Sequence, residues 1–322
     1  MLGKLLYHGS CFDGAASAAL VGRFLREREG SRLSRLDHQP VQHHQGDPFP
    51  ADAFEADLNV VVDFRWSPNP RLDWWFDHHQ SAFHRPEWRE AFERARNPNH
   101  FWDPTAPSCC GFAARVLEER FGWRAPDLTE LTRWADVIDA ARFPSAAVAV
   151  RLEEPALRLM TLLEASRDLA LPDRIIEAMR SRPLGEIAAE PWVRDPLGPI
   201  LERHARSIET VRRLARENGG VVTVDLADTG VEAANKFIAY DLFPESRYTV
   251  VVSRDPKRAK VSVGSNPWAR VPRTHDIAKI CERYGGGGHP VVGAVSLDPG
   301  RVAEARRIAS EIAEILRGPA YP

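Results

Sequence analysis

The run Val60-Val61-Val62, closed by Asp63, constrains the fold more than any other feature of the chain. A continuous β-branched stretch with no polar alternation reads as a strand covered on both faces, and such strands belong to parallel sheets packed between helices. Other segments read the same way. Leu5-Leu6-Tyr7 is a short apolar strand, followed by the turn-rich Gly9-Ser10-Cys11-Phe12-Asp13-Gly14 and by a helix over 15–29, rich in alanine and leucine. Trp74-Trp75-Phe76 closes a third strand candidate over 72–76. This alternation predicts an α/β fold with a parallel sheet.

At 322 residues the chain is too long for one compact core and suits two domains. Residues 108–181 turn helical, with segments at 111–121, 128–141 and 174–179. The proline-rich stretch 183–199 reads as a boundary region. Residues 200–217 read as a charged amphipathic helix, with Ile208, Val211 and Leu214 at helical spacing and Asn218-Gly219-Gly220 as its stop. A second α/β unit follows, with strands expected over 221–224, 248–252 and 260–263, a helix over 275–284, and a closing helix over 301–316. The organisation is thus read as an N-terminal parallel-sheet domain over 1–185, a linker helix region over 186–217 and a smaller C-terminal α/β domain over 218–322.

Composition narrows the function. Hydrophobic residues make up 43% and charged residues 27%, as in an ordinary globular protein. A net charge of -2 argues against a strongly basic, sequence-independent DNA binder. Four cysteines, Cys11, Cys109, Cys110 and Cys281, make no Cys-x-x-Cys pair and no disulfide framework. No apolar run approaches the length of a membrane span, and the opening residues lack a signal-peptide core. The expectation is a cytoplasmic protein with no membrane partner.

The chemistry lies where the predicted strands end. The first ends at His8, with Asp13 just beyond; the second at Asp63; the third at Asp77-His78-His79. In open parallel sheets the carboxyl ends of the strands line the ligand crevice, so these chain-distant groups converge. A single strand-end aspartate such as Asp13 is as readily a cap or turn former. Asp63 closes so apolar a run that its charge needs partners. His43-His44, by contrast, reads as a surface feature. Carboxylates with imidazoles suit manganese, with iron, zinc or cobalt as alternatives. A carboxylate bridging two ions about 3.5–4 Å apart is the usual two-metal design.

Asp77-His78-His79 resembles the motif that names the DHH phosphoesterases. Residues 8–17, HGSCFDGAAS, resemble the family's first motif, in which two aspartates flank one position before a glycine. Val60-Val61-Val62-Asp63 looks like the second motif. Trp134-Ala135-Asp136-Val137-Ile138-Asp139 looks like the fourth, whose aspartate is also a metal ligand. The resemblance implies a site for one or two Mn2+ ions, or Zn2+, Fe2+ or Co2+. It implies that Asp13, Asp63, His78 and Asp136 surround one ion and that Asp63 bridges to the other. Asp77 would support the site and His79 contact the reacting phosphate. Asp136 is preferred to Asp139 because Ala-Asp-Val is similar to the exonuclease branch; Asp139 is read as a solvated position near its helix end. One departure stands out: Cys11 replaces the first aspartate of the family's Asp-x-Asp, so that His8, Cys11 and Asp63 must supply the other ion. Cys11 is either a thiolate ligand, which favours zinc or iron, or a small buried residue that leaves one position weak or empty. The second reading is preferred.

In the C-terminal part, Gly285-Gly286-Gly287-Gly288-His289-Pro290 permits close backbone approach to a ligand, and free N–H groups in such a run can form an anion nest. On glycine content alone a flexible connection is the commoner reading. Residues 277–297, IAKICERYGGGGHPVVGAVSL, resemble the glycine-rich motif of the DHH-associated C-terminal domain. That implies binding of the substrate's nucleotide or phosphate portion by Gly286, Gly287, Gly288 and His289. Residues 260–266, KVSVGSN, look like the preceding strand, with Asn266 as a polar contact. Many relatives place an arginine where Gly264 stands; Arg254, Lys257, Arg258 and Arg270 are the candidates to restore that charge.

The resemblance as a whole is to the oligoribonuclease and cyclic-dinucleotide phosphodiesterase branch. It implies a metal-dependent phosphoesterase with its active-site cleft between the domains, hydrolysing phosphodiester or phosphomonoester bonds of nucleotides or short single-stranded oligonucleotides. The rival is a catalytically impaired, nucleotide-binding regulatory protein, supported by Cys11 and Gly264. A homodimer is left open.

Overall fold

The computed structural model describes residues 1–42, 48–231 and 235–319; the His43-His44 pair lies outside the described residues. The chain divides into two compact units, Met1–Phe143 with Leu152–Ile200, and Pro144–Arg151 with Leu201–Pro322.

The first unit holds a five-stranded, all-parallel sheet of β1 (Leu2–His8), β2 (Arg35–Val41), β3 (Leu58–Val62), β4 (Trp74–Asp77) and β5 (His100–Trp102). Its order is β2-β1-β3-β4-β5. The chain leaves β1 toward β2 on one side, then returns to build β3 to β5 on the other. The gap between the ends of β1 and β3 is therefore a topological switch point, where such sheets place their ligands. Every residue of β3 and β4 is buried, which is why neither segment alternates. The helix α1 (Phe12–Glu29) follows β1 and buries Ala15, Ala16, Ala18 and Ala19. These small side chains let it pack on the sheet and on the helices α3 (Cys109–Phe121) and α4 (Thr129–Asp139). The helix α2 (Pro86–Ala95) lies between β4 and β5 in the chain.

Two edge strands escape the sequence pattern. β2 reads RLDHQPV and β5 only HFW; neither forms an apolar run, and Pro40 is tolerated because β2 is an edge. The proline-rich stretch expected as a boundary is helical. It forms Leu184–Ala189 and then Pro191–Leu214, which carries Pro196 and Pro199 internally. Each of those prolines removes one N–H donor without ending the helix. The helix stops at Leu214, short of the expected 217, because Arg216–Asn218 is already a strand.

The second unit is built on a six-stranded mixed sheet: β6 (Arg216–Asn218), β7 (Val221–Asp225), β8 (Tyr248–Arg254), β9 (Ala259–Ser265), β10 (Gly287–His289) and β11 (Val292–Leu297), in the order β10-β11-β9-β8-β7-β6. Among the described residues only the β7–β8 pairing of this sheet is parallel. The closing helix Val302–Arg317 covers it with Ala305, Ile308, Ile312 and Leu316, an apolar stripe at helical spacing. No helix among the described residues is long and apolar enough to cross a membrane.

Candidate metal centre

Adjacent strand ends deliver most of the expected residues to one place. His8 is the last residue of β1 and Asp77 the last of β4, with His78 and His79 next; Asp63 directly follows β3. Cys11 is the residue before α1 and Asp13 lies in its first turn. Among the described residues three donor groups result: His8, Cys11 and Asp63; Asp63, His78 and His79; Asp13, His78 and Asp139. Within each, all ligand atoms lie within 4.8 Å of one another. Donors bound about 2.0–2.3 Å from a common ion have such separations. Asp63 and His78 each belong to two groups.

His78 is the centre of one half. Its Nδ1–H donates to the Ala106 carbonyl at 3.0 Å, which turns Nε2 toward three carboxylates: Asp139 Oδ2 at 3.3 Å, Asp13 Oδ2 at 3.6 Å and Asp63 Oδ1 at 3.6 Å. A carbonyl on the far nitrogen is how metal-binding imidazoles are normally oriented. Nε2 is buried and has no hydrogen-bond partner.

Asp63 joins the halves. Its side chain is 1% exposed, yet neither carboxylate oxygen has a hydrogen-bond partner; the nearest imidazole nitrogens, His8 Nδ1 and His78 Nε2, stand at 3.6 Å. Its backbone is left-handed, with φ 54°, and its N–H donates to the Phe76 carbonyl at 2.9 Å. A non-glycine residue in that region is strained, and such strain concentrates at functional sites. A buried carboxylate without donors is costly unless a cation completes it.

Asp13 and Asp77 are held differently. Asp13 accepts the N–H groups of Cys109 (2.6 Å) and Cys110 (2.9 Å), the unsatisfied donors at the start of α3. Asp77 Oδ1 accepts three donors: the His78 N–H at 2.8 Å, the His79 N–H at 3.2 Å and the His79 Nδ1–H at 2.7 Å. It shapes the turn and orients His79 from outside the donor groups.

The electrostatics favour a cation. Burial, then the charges of Asp63 and Asp139, push the Asp13 carboxyl well above the usual range. Burial and Asp63 raise Asp139 as well. Burial alone would raise Asp63, but the imidazoles of His78, His8 and His79 outweigh it and hold it at about 2. Burial would depress His78, but Asp63 and Asp13 push it up to about 10. Acids that repel one another around orphaned donors form a site complementary to divalent ions.

One expected ligand lies apart from the others. Asp136 belongs to none of the donor groups. Its Oδ1 accepts the Ser108 hydroxyl at 2.5 Å, and the carboxylate lies so close to Gly111 that a Cβ there would stand 2.4 Å from Oδ1. Asp139, the last residue of α4, reaches His78 instead. Positions three apart differ by about 300° and 4.5 Å along a helix, so only one aspartate meets the imidazole. Ser108 itself carried no signal as a site residue; its hydroxyl also accepts the Gly111 N–H at 2.9 Å, capping the helix whose first N–H groups hold Asp13.

The glycine run of the second unit is more ordered than a nest. Gly285 and Gly286 donate their N–H groups to the Glu282 and Cys281 carbonyls, at 3.1 and 3.0 Å, so these two donors close a helix end. Gly287-Gly288-His289 then form β10 against β11. A Cβ on Gly286 would stand 2.2 Å from the Ala294 carbonyl oxygen, and one on Gly288 2.3 Å from that of Val292, so the hairpin itself demands glycine. His289 is exposed. Asn266 turns inward: its Nδ2 donates to the Pro244 and Ser246 carbonyls, at 3.1 and 2.8 Å, and its Oδ1 accepts the Trp268 N–H at 3.0 Å. Its amide braces a loop. A Cβ at Gly264 would lie 2.7 Å from the Tyr240 hydroxyl, so a tyrosine fills the space expected for an arginine. Arg254, Arg258 and Arg270 pair with Asp228, Asp255 and Glu245 at 3.6, 3.5 and 3.8 Å.

No protein-family model matches the sequence, and no curated protein does. Solved structures do. The pGpG-specific phosphodiesterase PggH from Vibrio cholerae superposes with a TM-score of 0.70 at 18% identity, covering 98% of this chain and 99% of that one. A DHH domain from a protein described as a member of a ribosomal protein family superposes with a TM-score of 0.56 at 14% identity, covering 98% and 86%. The likeness is one of architecture and runs the length of the chain: the protein has the two-domain α/β fold of the DHH-domain proteins.

Proposed function

We propose that the protein is a DHH-type, metal-dependent phosphoesterase that hydrolyses phosphodiester or phosphomonoester bonds in nucleotides or short single-stranded oligonucleotides. The observation that carries this is Asp63, a buried carboxylate without hydrogen-bond partners, shared by two donor groups at the switch point of a parallel sheet. Asp13, Asp63, His78 and Asp139 would hold one ion, and Asp63 with His8 would begin a second. Manganese suits the oxygen-rich half, with zinc, iron or cobalt as alternatives. Divalent ions supply Lewis-acid charge for a phosphoryl group and acidify a water. The protein's own residues do the rest. Ala106 fixes the His78 tautomer, the start of α3 fixes Asp13, and Asp77 orients His79 to contact the reacting phosphate. In the second unit the hairpin Gly286–His289 is the segment proposed to bind substrate: Gly287 and Gly288 carry no side chain, and His289 is exposed.

The solved neighbour named for pGpG makes that linear dinucleotide the first substrate to try. Metal-stripped protein should cleave it, or a short RNA dinucleotide, when manganese is restored, and Asp63→Ala and His78→Ala should abolish cleavage. Inert protein across manganese, zinc, iron and cobalt, with these dinucleotides, a cyclic dinucleotide and adenosine bisphosphate, would refute the proposal.

A further inference from the structure

The two halves of the centre differ in chemistry. Around His78 the donors are carboxylates: Asp13, Asp63 and Asp139. Around His8 they are one carboxylate, Asp63, and a sulfur, Cys11. The turn that brings them together is tight. Ser10 is left-handed, with φ 55°, and a Cβ on Gly14 would stand 2.2 Å from the His8 carbonyl oxygen, so the first turn of α1 lies directly on the end of β1. Cys11 occupies the position before the helix, where a side chain ordinarily caps the free N–H groups; it makes no full capping bond, though the Gly14 N–H lies where it favours the charged sulfur. Its thiol lies instead within 4.8 Å of the His8 nitrogen and of an Asp63 oxygen, and that carboxylate is buried and without hydrogen-bond partners.

The other cysteines are placed otherwise. Cys109 directs its thiol to the Phe76 carbonyl at 3.3 Å, and Cys109 and Cys110 serve Asp13 through their backbone N–H groups. Cys281 is in the core of the second unit.

We propose that Cys11 coordinates as a thiolate, making the half-site of His8, Cys11 and Asp63 a nitrogen–sulfur–oxygen position that selects zinc, ferrous iron or cobalt over manganese. This rests on the metal-centre reading above and deepens it. Thiolate is a soft donor, and softness rather than raw affinity separates these ions from manganese. On coordination the S–H bond breaks heterolytically: sulfur keeps the electron pair and gives it to the ion, and one proton leaves to solvent. The preferred reading from sequence, a small packing residue, is set aside because the thiol faces donors that need an ion.

The test is optical and independent of turnover. Cobalt is titrated into metal-stripped, full-length wild type and Cys11→Ser. A sulfur-to-cobalt charge-transfer band in the near ultraviolet, present in wild type and lost in Cys11→Ser while the visible d–d bands of the His78 half persist, supports the proposal. Visible bands without the near-ultraviolet band in wild type, or an unchanged spectrum in Cys11→Ser, overturn it and leave the phosphoesterase reading standing. No cobalt binding at all overturns both. Wild type alone gives a second reading. Of the four cysteines Cys11 is the one not fully buried, so native alkylation should modify about one thiol, and zinc should slow that reaction at least about tenfold where manganese does not. Equal protection by both ions, or none by zinc, overturns the assignment.

Discussion

Asp139 Oδ2 lies 3.3 Å from His78 Nε2, while Asp136, one turn earlier on the same helix, is held by the Ser108 hydroxyl at 2.5 Å. The two acids therefore have separable effects. Asp139→Asn should lower metal affinity by about a hundredfold or more, by analogy with the loss of even indirect supports of metal ligands. Without metal it should unfold at a temperature equal to or above wild type, because burial and Asp63 raise its pKa and an amide removes that repulsion. Asp136→Asn should bind metal nearly normally but lose about 1–2 kcal/mol of stability, the scale of a charge-assisted hydrogen bond. Calorimetric metal titration and thermal melts with and without metal separate the cases; equal metal loss in both variants would refute the assignment of Asp139.

Asp77 is a positioning residue for His79. Asp77→Asn keeps the size and one acceptor oxygen but removes the negative charge toward which the three donors at Oδ1 are drawn, weakening the hold on His79. The expected result is a fall in kcat of about ten- to a hundredfold with bound-metal content retained, read by turnover beside elemental analysis. Metal loss on the same scale would make Asp77 a ligand instead.

His100 predicts an acid-sensitive term in stability. Burial pushes its imidazole down to about 4, partly offset by its bond to the Leu72 carbonyl, and its Nδ1 accepts the Trp66 indole N–H at 3.1 Å. The unfolded chain, with a pKa near about 6.5, takes up the proton first as pH falls. Stability is therefore unaffected by this group above that value and declines from there toward pH 4, by at most about 3 kcal/mol. Urea unfolding at several pH values should show that slope, and His100→Gln should flatten it relative to wild type. Parallel slopes would exclude the term.

Gly264 and Tyr240 should be coupled. Gly264→Ala forces a methyl to 2.7 Å from the Tyr240 hydroxyl, which bonds the Thr249 hydroxyl at 2.9 Å. The single change should cost about 1–3 kcal/mol, as overpacking does. Tyr240→Phe removes the clashing oxygen, so the double variant should recover part of that loss in a double-mutant cycle. Strict additivity would locate the strain elsewhere.

The sequence displayed the sheet's middle better than its edges. Val60-Val61-Val62 and Trp74-Trp75-Phe76 are enclosed on both faces, so their composition alone identifies them; β2 and β5 lie at edges, where β2 reads as ordinary polar chain and β5 is only three residues long. Acids and histidines at strand ends were legible for the same reason, because a strand's last residue is fixed by where its apolar run stops. Asp136 and Asp139 were not separable, since both sit on one helix and the choice depends on its rotation about its axis. Pro196 and Pro199 misled because a proline signals a missing donor, which a helix with other support tolerates. The four glycines suggested openness, whereas Gly286 and Gly288 are needed for crowding: backbone oxygens occupy the space of their side chains.

The donors of the centre are scattered from His8 to Asp139 along the chain. During synthesis the group of Asp13, His78 and Asp139 cannot be completed until α4 has left the ribosome, on the order of ten seconds after His8 at ordinary elongation rates, whereas the donors of the His8 half are all made by Asp63. Metal capture by the group that includes Asp139 is thus the later event, and an ion there at a hundred times its dissociation constant would add about 2.7 kcal/mol to the folded domain.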